Sequence, residues 1–282
     1  MRMLNLRDNV ISIIITYNPD ISSGILEKQI TILEKHCLRI VLIDNDSKNK
    51  KNIANLCSNF KKTDLVQLDK NYGIGYALNI GLEIAIKTRG ARWLLTLDQD
   101  SLFDENTFEN AEKEMSSFSI KSNLACFGVN FTDLHFKKIK KQNNSGKPVL
   151  VKALITSGCF MRIDIVKDFR FKSELFMYSI DTDFSYKLRK AGFDLLLLYE
   201  AKMDHKGGKR KSLNNGEEVH FNDTLALYYM SRNSIYLLRK YHDLNSFLYV
   251  LYLYLENVFA NEKPILSALN MIKGYLDGLT IT

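Results

Sequence analysis

The sequence predicts an α/β fold, a mostly parallel β-sheet flanked by helices, followed by a helical region at the C-terminal end. Short apolar runs alternate with amphipathic segments in the N-terminal part of the chain, and a polar cluster follows each of these runs. The C-terminal part has helical spacing throughout. Buried parallel strands have continuous apolar sequences, and the helices that connect them cover both faces of the sheet.

The first elements follow in strand–helix order. Val10 to Thr16 is a β-branched apolar run that ends at Tyr17-Asn18-Pro19, and 74–87 has the clearest helical periodicity. The right-handed crossover rule places the carboxyl ends of such strands on one edge of the sheet. We predict strands at 10–16, 40–43, 65–68 and 93–97, with helices at 25–33, 53–60 and 74–87.

Beyond residue 120 the pattern changes. We predict longer strands at 124–131 and 149–155, a helix at 181–191, a strand at 193–199, and helices from residue 217 onward. A stretch rich in Lys, Gly and Asn at 206–216 predicts a hinge or loop. We therefore predict a catalytic domain at 1–210 and a C-terminal helical region at 211–282.

Composition limits the class of protein. The chain has 282 residues, 46% of them hydrophobic, and its four cysteines form no C-x-x-C pair, so we expect reduced core cysteines in a cytoplasmic protein. The polar N-terminus does not resemble a signal peptide, and no apolar stretch reaches the roughly 18 residues of a membrane-spanning helix. The net charge of +7 suits nucleic acid, anionic lipid or simple solubility. No nucleic-acid module accompanies the basic clusters at 137–141 and 206–211, so we expect no nucleic-acid partner.

Polar clusters follow the four N-terminal strands. Open α/β folds bind ligands outside the carboxyl ends of their strands, so we expect these clusters to form the active site. The clusters are Thr16-Tyr17-Asn18, Asp44-Asn45-Asp46, Asp69-Lys70-Asn71 and Asp98-Gln99-Asp100.

The pair Asp98 and Asp100 is the most informative of these. Side chains two apart on a strand project the same way, and two carboxylates at a sheet rim suit a divalent cation that also holds phosphates. The competing interpretation is a solvated turn after the strand. His205, between a strand end and Gly207-Gly208, is either structural or a third ligand of the same ion.

Three further segments have a functional and a structural interpretation. Gly73 and Gly75 allow close approach of an anion to a helix start, or merely pack helix on strand. Ser157-Gly158 forms either a turn or a small-residue wall against a sugar. Asp181 and Asp183 stand at a predicted helix start, where acids commonly cap the helix; a desolvated carboxylate there can also act as a general base.

Together these motifs resemble family 2 inverting glycosyltransferases of the GT-A fold. Two sequence motifs, Leu97-Asp98-Gln99-Asp100-Ser101 and Tyr229-x-x-Arg232-Asn233, are similar to those of the rhamnosyltransferase branch of this family. Members of that branch use dTDP-L-rhamnose to assemble bacterial surface polysaccharides such as O-antigen, capsule or cell wall. The resemblance spans Val10 to about Gly208 and rests on the order of Thr16-Tyr17-Asn18, Asp44 to Ser47, Asn71-x-Gly73 to Asn79-x-Gly81, Asp98 to Ser101, Ser157-Gly158, Asp181-x-Asp183-Phe184 and Arg189 to Phe193.

The resemblance implies a role for each site residue. Asp181 matches the catalytic base, and Mg²⁺ or Mn²⁺ would be bound by Asp98, Asp100 and His205. The chain departs from the family at Ile180, where Glu is frequent, and at Lys187, where Arg is usual; it also lacks a Gln-x-x-Arg-Trp motif, which argues against a processive synthase. The implied nucleotide or donor contacts are Thr16, Tyr17, Asn18, Asp44, Asn71, Gly73, Asn79, Asp98, Gln99, Ser157 and Gly158.

The function that the resemblance implies is inverting transfer of L-rhamnose from dTDP-β-L-rhamnose to a hydroxyl of a lipid-linked glycan. The C-terminal helices would contact the inner face of the plasma membrane, pack on the catalytic domain, or form a homodimer. The alternatives are another donor, a UDP- or GDP-linked hexose, and a non-catalytic nucleotide-sugar-binding protein. A nucleotidyltransferase fits less well because the loop after the first strand, 17–23, has no Lys or Arg.

Overall fold

A computed structural model describes residues 6–117, 123–133, 143–205, 209–212, 218–221, 224–260 and 264–282, and it confirms the α/β fold with C-terminal helices. The strands are β1 Val10–Thr16, β2 Arg39–Asp44, β3 Thr63–Gln67, β4 Trp93–Asp98, β5 Ser101–Phe103, β6 Leu124–Asp133, β7 Val149–Leu150, β8 Cys159–Arg162, β9 Asp194–His205, β10 Lys209–Ser212 and β11 Glu218–Phe221. The helices are α1 Ile25–His36, α2 Lys50–Cys57, α3 Ile74–Lys87, α4 Thr107–Ser117, α5 Ile163–Val166, α6 Ile180–Lys190, α7 Thr224–Tyr241, α8 Leu244–Ala260 and α9 Pro264–Gly278.

The main sheet has the order β3-β2-β1-β4-β8-β6-β9-β5, with β7 also paired to β9. The four N-terminal strands are mutually parallel, as predicted. β8 runs antiparallel to both β4 and β6, while β6 and β9 are parallel, so the second half of the sheet is mixed.

Register brings the strand ends to one edge. Thr16 of β1 pairs with Asp44 of β2, and Ile15 pairs with Asp98 of β4. β9 runs on to the same edge, where His205 lies opposite Ser101 of β5. The polar ends of four strands therefore meet around one opening, the arrangement that open α/β sheets use for ligands.

Each face of the sheet has its own apolar layer. Alternate residues of β1 serve the two sides, because side chains of a strand point in turn to opposite faces. Val10 and Ile14 pack on the side covered by α1, α2 and α4, whereas Ile11, Ile13 and Ile15 pack on the side covered by α3, α6 and α7. The predicted burial of this strand on both faces is confirmed.

The chain departs from the predicted elements after residue 148. Only Val149–Leu150 of the predicted strand 149–155 is a strand, because the N–H of Leu154 donates to Ser185 Oγ on α6 rather than to a neighbouring strand. β8 was not predicted, and Ser157-Gly158 precedes this strand rather than ending one. Part of the predicted hinge at 206–216 is the β10–β11 ladder, and the rest of it lies outside the described residues, as does the basic cluster at 137–141.

α7 and α9 pack closely in the C-terminal part. A Cβ atom on Gly274 would collide with the carbonyl oxygen of Tyr228, and one on Gly278 with that of Arg232, so the glycines permit the approach. All four cysteines are free and buried. Among the described residues, no helix has both the length and the apolar character needed to cross a bilayer.

Candidate active site

A cavity of about 370 Å³ opens at the carboxyl edge of the sheet. Its polar lining comes from the ends of β1, β2 and β4, the start of α3, and the end of β9; its apolar lining comes from these elements and from the segment before α6. The lining residues are Ile15, Thr16, Tyr17, Asn45, Asn71, Gly73, Ile74, Asp98, Gln99, Asp100, Phe176, Met177 and His205.

Asp98, Asp100 and His205 converge at one side of this cavity. One potential ligand atom from each residue lies within 4.8 Å of the others, which is the spacing of a shared ion. Asp98 ends β4, Asp100 follows in the tight connection to β5, and His205 ends β9. Two carboxylates and an imidazole form a donor set that suits Mg²⁺ or Mn²⁺, so the residues fit the predicted cation.

Ser101 and Ser157 hold this cluster in place. Ser101 Oγ lies 2.8 Å from His205 Nδ1 and 2.7 Å from Ser157 Oγ, which in turn accepts the N–H of Asp98 at 3.0 Å. Such contacts orient metal-binding side chains. Ser157 is buried and does not line the cavity.

Gly158 has a structural role as well. Its φ of 72° is left-handed, and a Cβ atom there would lie 2.7 Å from Val129 Cγ2 and 2.8 Å from Met203 Sδ. The pair Ser157-Gly158 braces the strand end that carries Asp98, and its predicted contact with a sugar donor stays a prediction.

Burial raises the pKa of Asp98 to about 6, and the nearby charges of Asp100 and Asp181 act in the same direction. The nearby His205 opposes this effect. A carboxylate that is costly to ionise alone gains most from a bound cation, because the cation neutralises its charge.

Gln99 joins two strand ends. Its Oε1 accepts the N–H of Tyr17 at 2.8 Å, and its Nε2 donates to the carbonyl of Tyr17 at 3.3 Å. The side chain of Tyr17 is about half exposed at the rim, whereas Thr16 is buried beneath it. Thr16, Tyr17 and Gln99 thus lie where the sequence placed them, on the cavity.

Asp44 lies in register beside Thr16 but below the lining. Its Oδ1 accepts the N–H of Ser47 at 3.1 Å, and its buried Oδ2 has no hydrogen-bond partner in the described part of the chain. Asn45, next to it, lines the cavity and was not among the predicted site residues, although it stands in a predicted polar cluster.

Asn18 braces neighbouring loops rather than lining the cavity. Its N–H donates to Ser47 Oγ at 2.7 Å, and its Oδ1 accepts the N–H of Lys48 at 2.8 Å. These bonds fix the loop after β2 against the loop after β1. The loop that follows Asp44 is thereby held from the side.

Asn71 and Gly73 line the cavity at the start of α3, and Asn71 Oδ1 accepts the N–H of Gly73 at 2.9 Å. Asn79 does not join them. Its amide donates to the carbonyl of Phe171 and to Ser173 Oγ and accepts the N–H of Phe171. Asn79 is not among the residues that line this cavity, and its polar atoms connect α3 to the segment before α6; its predicted contact with a nucleotide stays a prediction.

Asp181 lies in the first turn of α6, half-buried, and borders a small void; it is not among the residues that line the cavity. Burial raises the pKa of its carboxyl, although its Oδ1 accepts the N–H of Thr182 at 2.8 Å, which partly offsets that rise. Its charge acts on Asp98, so the two carboxylates are near neighbours. A desolvated carboxylate with a raised pKa is well suited to accept a proton.

Asp183 has a different role from the helix cap that its position suggests. Its carboxylate is fully buried and receives Tyr236 Oη at 2.6 Å, Tyr241 Oη at 2.7 Å and Lys187 Nζ at 2.6 Å, with Lys240 Nζ at 3.3 Å. Three of these partners come from α7. Asp183 therefore ties α6 to the C-terminal helices.

Phe176 and Met177 are site residues that sequence reasoning missed. Both line the cavity from a loop with unusual backbone angles: Phe176, Tyr178 and Ser179 all have φ between 60° and 63°. Nothing in the local sequence marks this conformation, since the residues are neither glycine nor asparagine.

Residues 12–172 match the sequence model described as glycosyl transferase family 2. Among curated proteins, a dTDP-rhamnosyl transferase RfbF from Shigella flexneri is 25% identical over 252 residues, which cover 84% of this chain and 82% of that protein.

Solved structures give the same fold. S. aureus TarS 1–349 superposes with a TM-score of 0.58 at 14% identity, covering 96% of this chain and 81% of that chain. The mannosyltransferase PcManGT from Pyrobaculum calidifontis, in complex with GDP-Man and Mn²⁺, superposes with a TM-score of 0.57 at 14% identity, covering 98% and 76%.

Proposed function

The chain belongs to glycosyl transferase family 2, and from this premise we propose that it is an inverting glycosyltransferase that uses a nucleoside-diphosphate sugar. The observation that carries the proposal is the convergence of Asp98, Asp100 and His205 at one side of a cavity, with Asp181 as a near neighbour. Asp98, Asp100 and His205 would hold the diphosphate through a bound cation, and Asp181 would accept a proton from the acceptor.

We propose that the donor lies along the strand ends. Thr16, Tyr17 and Asn71 line the cavity, and the buried Oδ2 of Asp44 beside them receives no hydrogen bond from the residues that the structure describes. The imide N–H of thymine or uracil is a matching donor, since a buried carboxylate oxygen without a partner is costly. In this arrangement Asn18 acts indirectly, by holding the loop around Asp44.

Asp98, Asp100 and His205 would hold Mg²⁺ or Mn²⁺, which when bound neutralises charge on the departing diphosphate. Asp181 takes the proton from the acceptor hydroxyl while the oxygen of that hydroxyl bonds to the anomeric carbon of the donor sugar. The bond from that carbon to the diphosphate oxygen breaks, and its electron pair leaves with the nucleoside diphosphate. Attack from the opposite face inverts the anomeric configuration, so a β-linked donor gives an α-linked product.

We propose dTDP-β-L-rhamnose as the donor. The support is the similarity to the Shigella flexneri protein described as a dTDP-rhamnosyl transferase, together with the Tyr229-x-x-Arg232-Asn233 motif. UDP- and GDP-linked hexoses are the alternative donors, since structures of the same fold include TarS 1–349 in complex with UDP-GlcNAc and PcManGT in complex with GDP-Man.

A thermal-shift panel of nucleotide sugars tests the donor. We expect dTDP-L-rhamnose with Mn²⁺ to raise the Tm by several degrees, since ligand at a hundredfold to thousandfold excess over Kd stabilises the folded state by about 3 to 4 kcal/mol. UDP-GlcNAc or GDP-mannose should raise the Tm less. The Mn²⁺-dependent part should vanish in the Asp98→Asn variant. Stabilisation by UDP-sugars alone would refute the rhamnose proposal.

We propose a lipid-linked glycan as the acceptor, with the C-terminal helices on the membrane surface. Exposed leucines and isoleucines repeat along one side of α9, at Ile265, Leu269, Ile272 and Leu276, opposite the side that packs on α7. Apolar stripes of this kind, combined with basic charge, bind anionic bilayers. A basic cavity formed by Lys152, Arg189, Lys190 and Lys240 also includes Leu244 at the start of α8.

A non-catalytic nucleotide-sugar-binding protein is the second candidate. It would keep the cavity and the metal cluster but has no use for a desolvated carboxylate at Asp181. Release of dTDP from dTDP-rhamnose by the purified protein, absent in Asp181→Asn, would exclude it.

A further inference from the structure

The loop at 174–179 joins the cavity to the helix that carries Asp181. Phe176 and Met177 contribute side chains to the cavity wall, and α6 begins at Ile180, directly after the loop. The position of this loop therefore decides both the shape of the wall and the position of the proposed base.

The backbone of this loop is strained. Phe176 has φ 63° and ψ −61°, and the N–H of Met177 donates to the carbonyl of Leu175 at 2.7 Å. This is a classic γ-turn, a rare and strained conformation. Tyr178 and Ser179 follow with φ of 61° and 60°, which non-glycine residues seldom adopt. Such a segment persists only when its surroundings hold it.

Two side chains of α7 hold the 174–179 loop by hydrogen bonds to its carbonyl groups. Asn233, fully buried, places its Nδ2 3.0 Å from the carbonyl oxygen of Leu175, 2.7 Å from that of Met177 and 2.9 Å from that of Tyr178. Arg232 Nη2 donates to the carbonyls of Glu174 at 2.6 Å and Leu175 at 2.9 Å.

The contacts within the loop and α7 reinforce one another. Arg232 Nε donates to Asn233 Oδ1 at 3.0 Å, and the guanidinium lies 4.6 Å from the centre of the Tyr229 ring. That ring stacks on Phe176 with centroids 4.9 Å apart. From the other side, the first N–H of α3, on Ile74, donates to the carbonyl of Phe176 at 2.7 Å.

We propose that Tyr229, Arg232 and Asn233 form a clamp that holds the 174–179 loop in its strained conformation and so positions Asp181. The clamp residues are positioning residues, since their contacts run to the loop and not to the cavity. The three residues are those of the Tyr229-x-x-Arg232-Asn233 motif, so the clamp assigns that motif a physical role. The predicted effect of the clamp on kcat rests on the proposed transferase function, whereas its predicted effect on the conformation of the 174–179 loop does not.

The test compares Asn233→Ala with Ser234→Ala, a change at the next buried residue of α7. Among the described residues, the Oγ of Ser234 bonds to the carbonyl of Ser231 within the same helix. Hydrogen exchange followed by mass spectrometry should show that the 174–179 amides exchange faster in Asn233→Ala than in the wild-type protein. In Ser234→Ala their exchange rate should equal that of the wild-type protein. With dTDP-L-rhamnose as donor and water as the acceptor of the rhamnosyl group, kcat for dTDP release by Asn233→Ala should fall at least about tenfold while KM rises less than about threefold, because the metal cluster is untouched.

A second substitution distinguishes strain from general damage. Ser179→Gly removes the steric cost of φ 60° at that position, so the double variant Asn233→Ala plus Ser179→Gly should regain part of the lost kcat. Arg232→Ala, at a partly exposed position, gives a milder form of the same defect if Asn233→Ala does not fold.

Unchanged exchange at 174–179 in Asn233→Ala, or an equal effect of Ser234→Ala, would overturn the clamp. Absence of rescue by Ser179→Gly would count against strain as the reason. If exchange rises as expected while the wild-type protein turns over no nucleotide sugar, the proposed function fails and the clamp stands.

Discussion

Two neighbouring carboxyl groups have raised pKa values, Asp98 in the cavity wall and Asp181 at the start of α6. Burial is the main cause for both, and each is an unfavourable place for an isolated charge. A group whose folded-state pKa is raised destabilises the fold once it is ionised, so both residues reduce stability at neutral pH. Such a cost is typical of residues kept for function rather than for folding.

At the residue scale we predict that Asp181→Asn abolishes transfer without loss of stability. kcat for dTDP release should fall at least about 100-fold, because a general base contributes this much or more. The free energy of unfolding should stay level or rise, since the amide carries no charge to desolvate. Kinetics and urea denaturation measure the two effects, with the exposed Asp168→Asn as a control that changes neither.

The carboxyl of Asp181 should also make the transferase activity depend on pH. Asp181 must be ionised to accept a proton, so activity should fall as the pH drops through its raised pKa. Asp98, with a pKa of about 6, loses metal binding in the same direction. Excess Mn²⁺ should restore the share of the activity lost through protonation of Asp98, because the cation competes with protons for this carboxylate. If Mn²⁺ restored all of the activity lost at low pH, that result would argue against Asp181 as the base.

At the scale of elements, the junction between α6 and α7 depends on one buried charge. Hydrogen bonds from Lys187, Tyr236 and Tyr241 hold the pKa of Asp183 below its ordinary value against the opposing effect of burial. The carboxylate in turn raises the pKa of both tyrosine hydroxyls, where burial is the larger cause. The C-terminal helices are thus attached to the catalytic part by polar contacts as well as by the clamp.

We predict that Asp183→Asn destabilises the protein by about 3 kcal/mol, because the two ammonium groups lose their counter-charge. A folded-state pKa below the ordinary value gives stability that is present above about pH 4 and lost as the pH falls through the folded-state pKa. Urea denaturation at neutral and acidic pH measures both. Asp164→Asn, which breaks an exposed pair with Arg162, should cost less than about 1 kcal/mol. An equal loss in the two variants would contradict this account.

At the scale of the whole molecule, the site and the exposed apolar stripe lie on different parts of one fold. The division into a catalytic domain at 1–210 and a helical region at 211–282 is a proposal, and α7 qualifies it, since this helix packs against both α6 and the 174–179 loop. Among the described residues, α8 and α9 carry most of the exposed large apolar side chains.

We predict binding to anionic vesicles through α9. The protein should sediment with phosphatidylglycerol vesicles, less with phosphatidylcholine alone, and less in high salt, which screens the basic charge. Leu269→Glu should reduce the bound fraction at least about threefold, while Leu150→Glu, at an equally exposed leucine on β7, should not. No sedimentation, together with concentration-dependent dimers in analytical ultracentrifugation, would indicate a second copy instead.

The sequence by itself determined the N-terminal parallel strands, the helix at 74–87, and the residues at the strand ends. These features depend on periodicity and on local chain chemistry, which are present in the sequence: apolar runs bury, and the polar residues after them fall on one edge by the crossover rule. Asp98, Asp100 and His205 converge as predicted, although His205 lies far along the chain.

Only the tertiary structure decided which of the predicted residues face the cavity. Asn79, Ser157 and Gly158 brace the site through partners that are remote in sequence. These partners are Phe171 and Ser173 for Asn79, Asp98 and Ser101 for Ser157, and Val129 and Met203 for Gly158. The strained loop that carries Phe176 and Met177 has no local signature either. Its conformation is imposed by Asn233 and Arg232 across more than fifty residues, and contacts of that range are fixed by packing rather than by propensity.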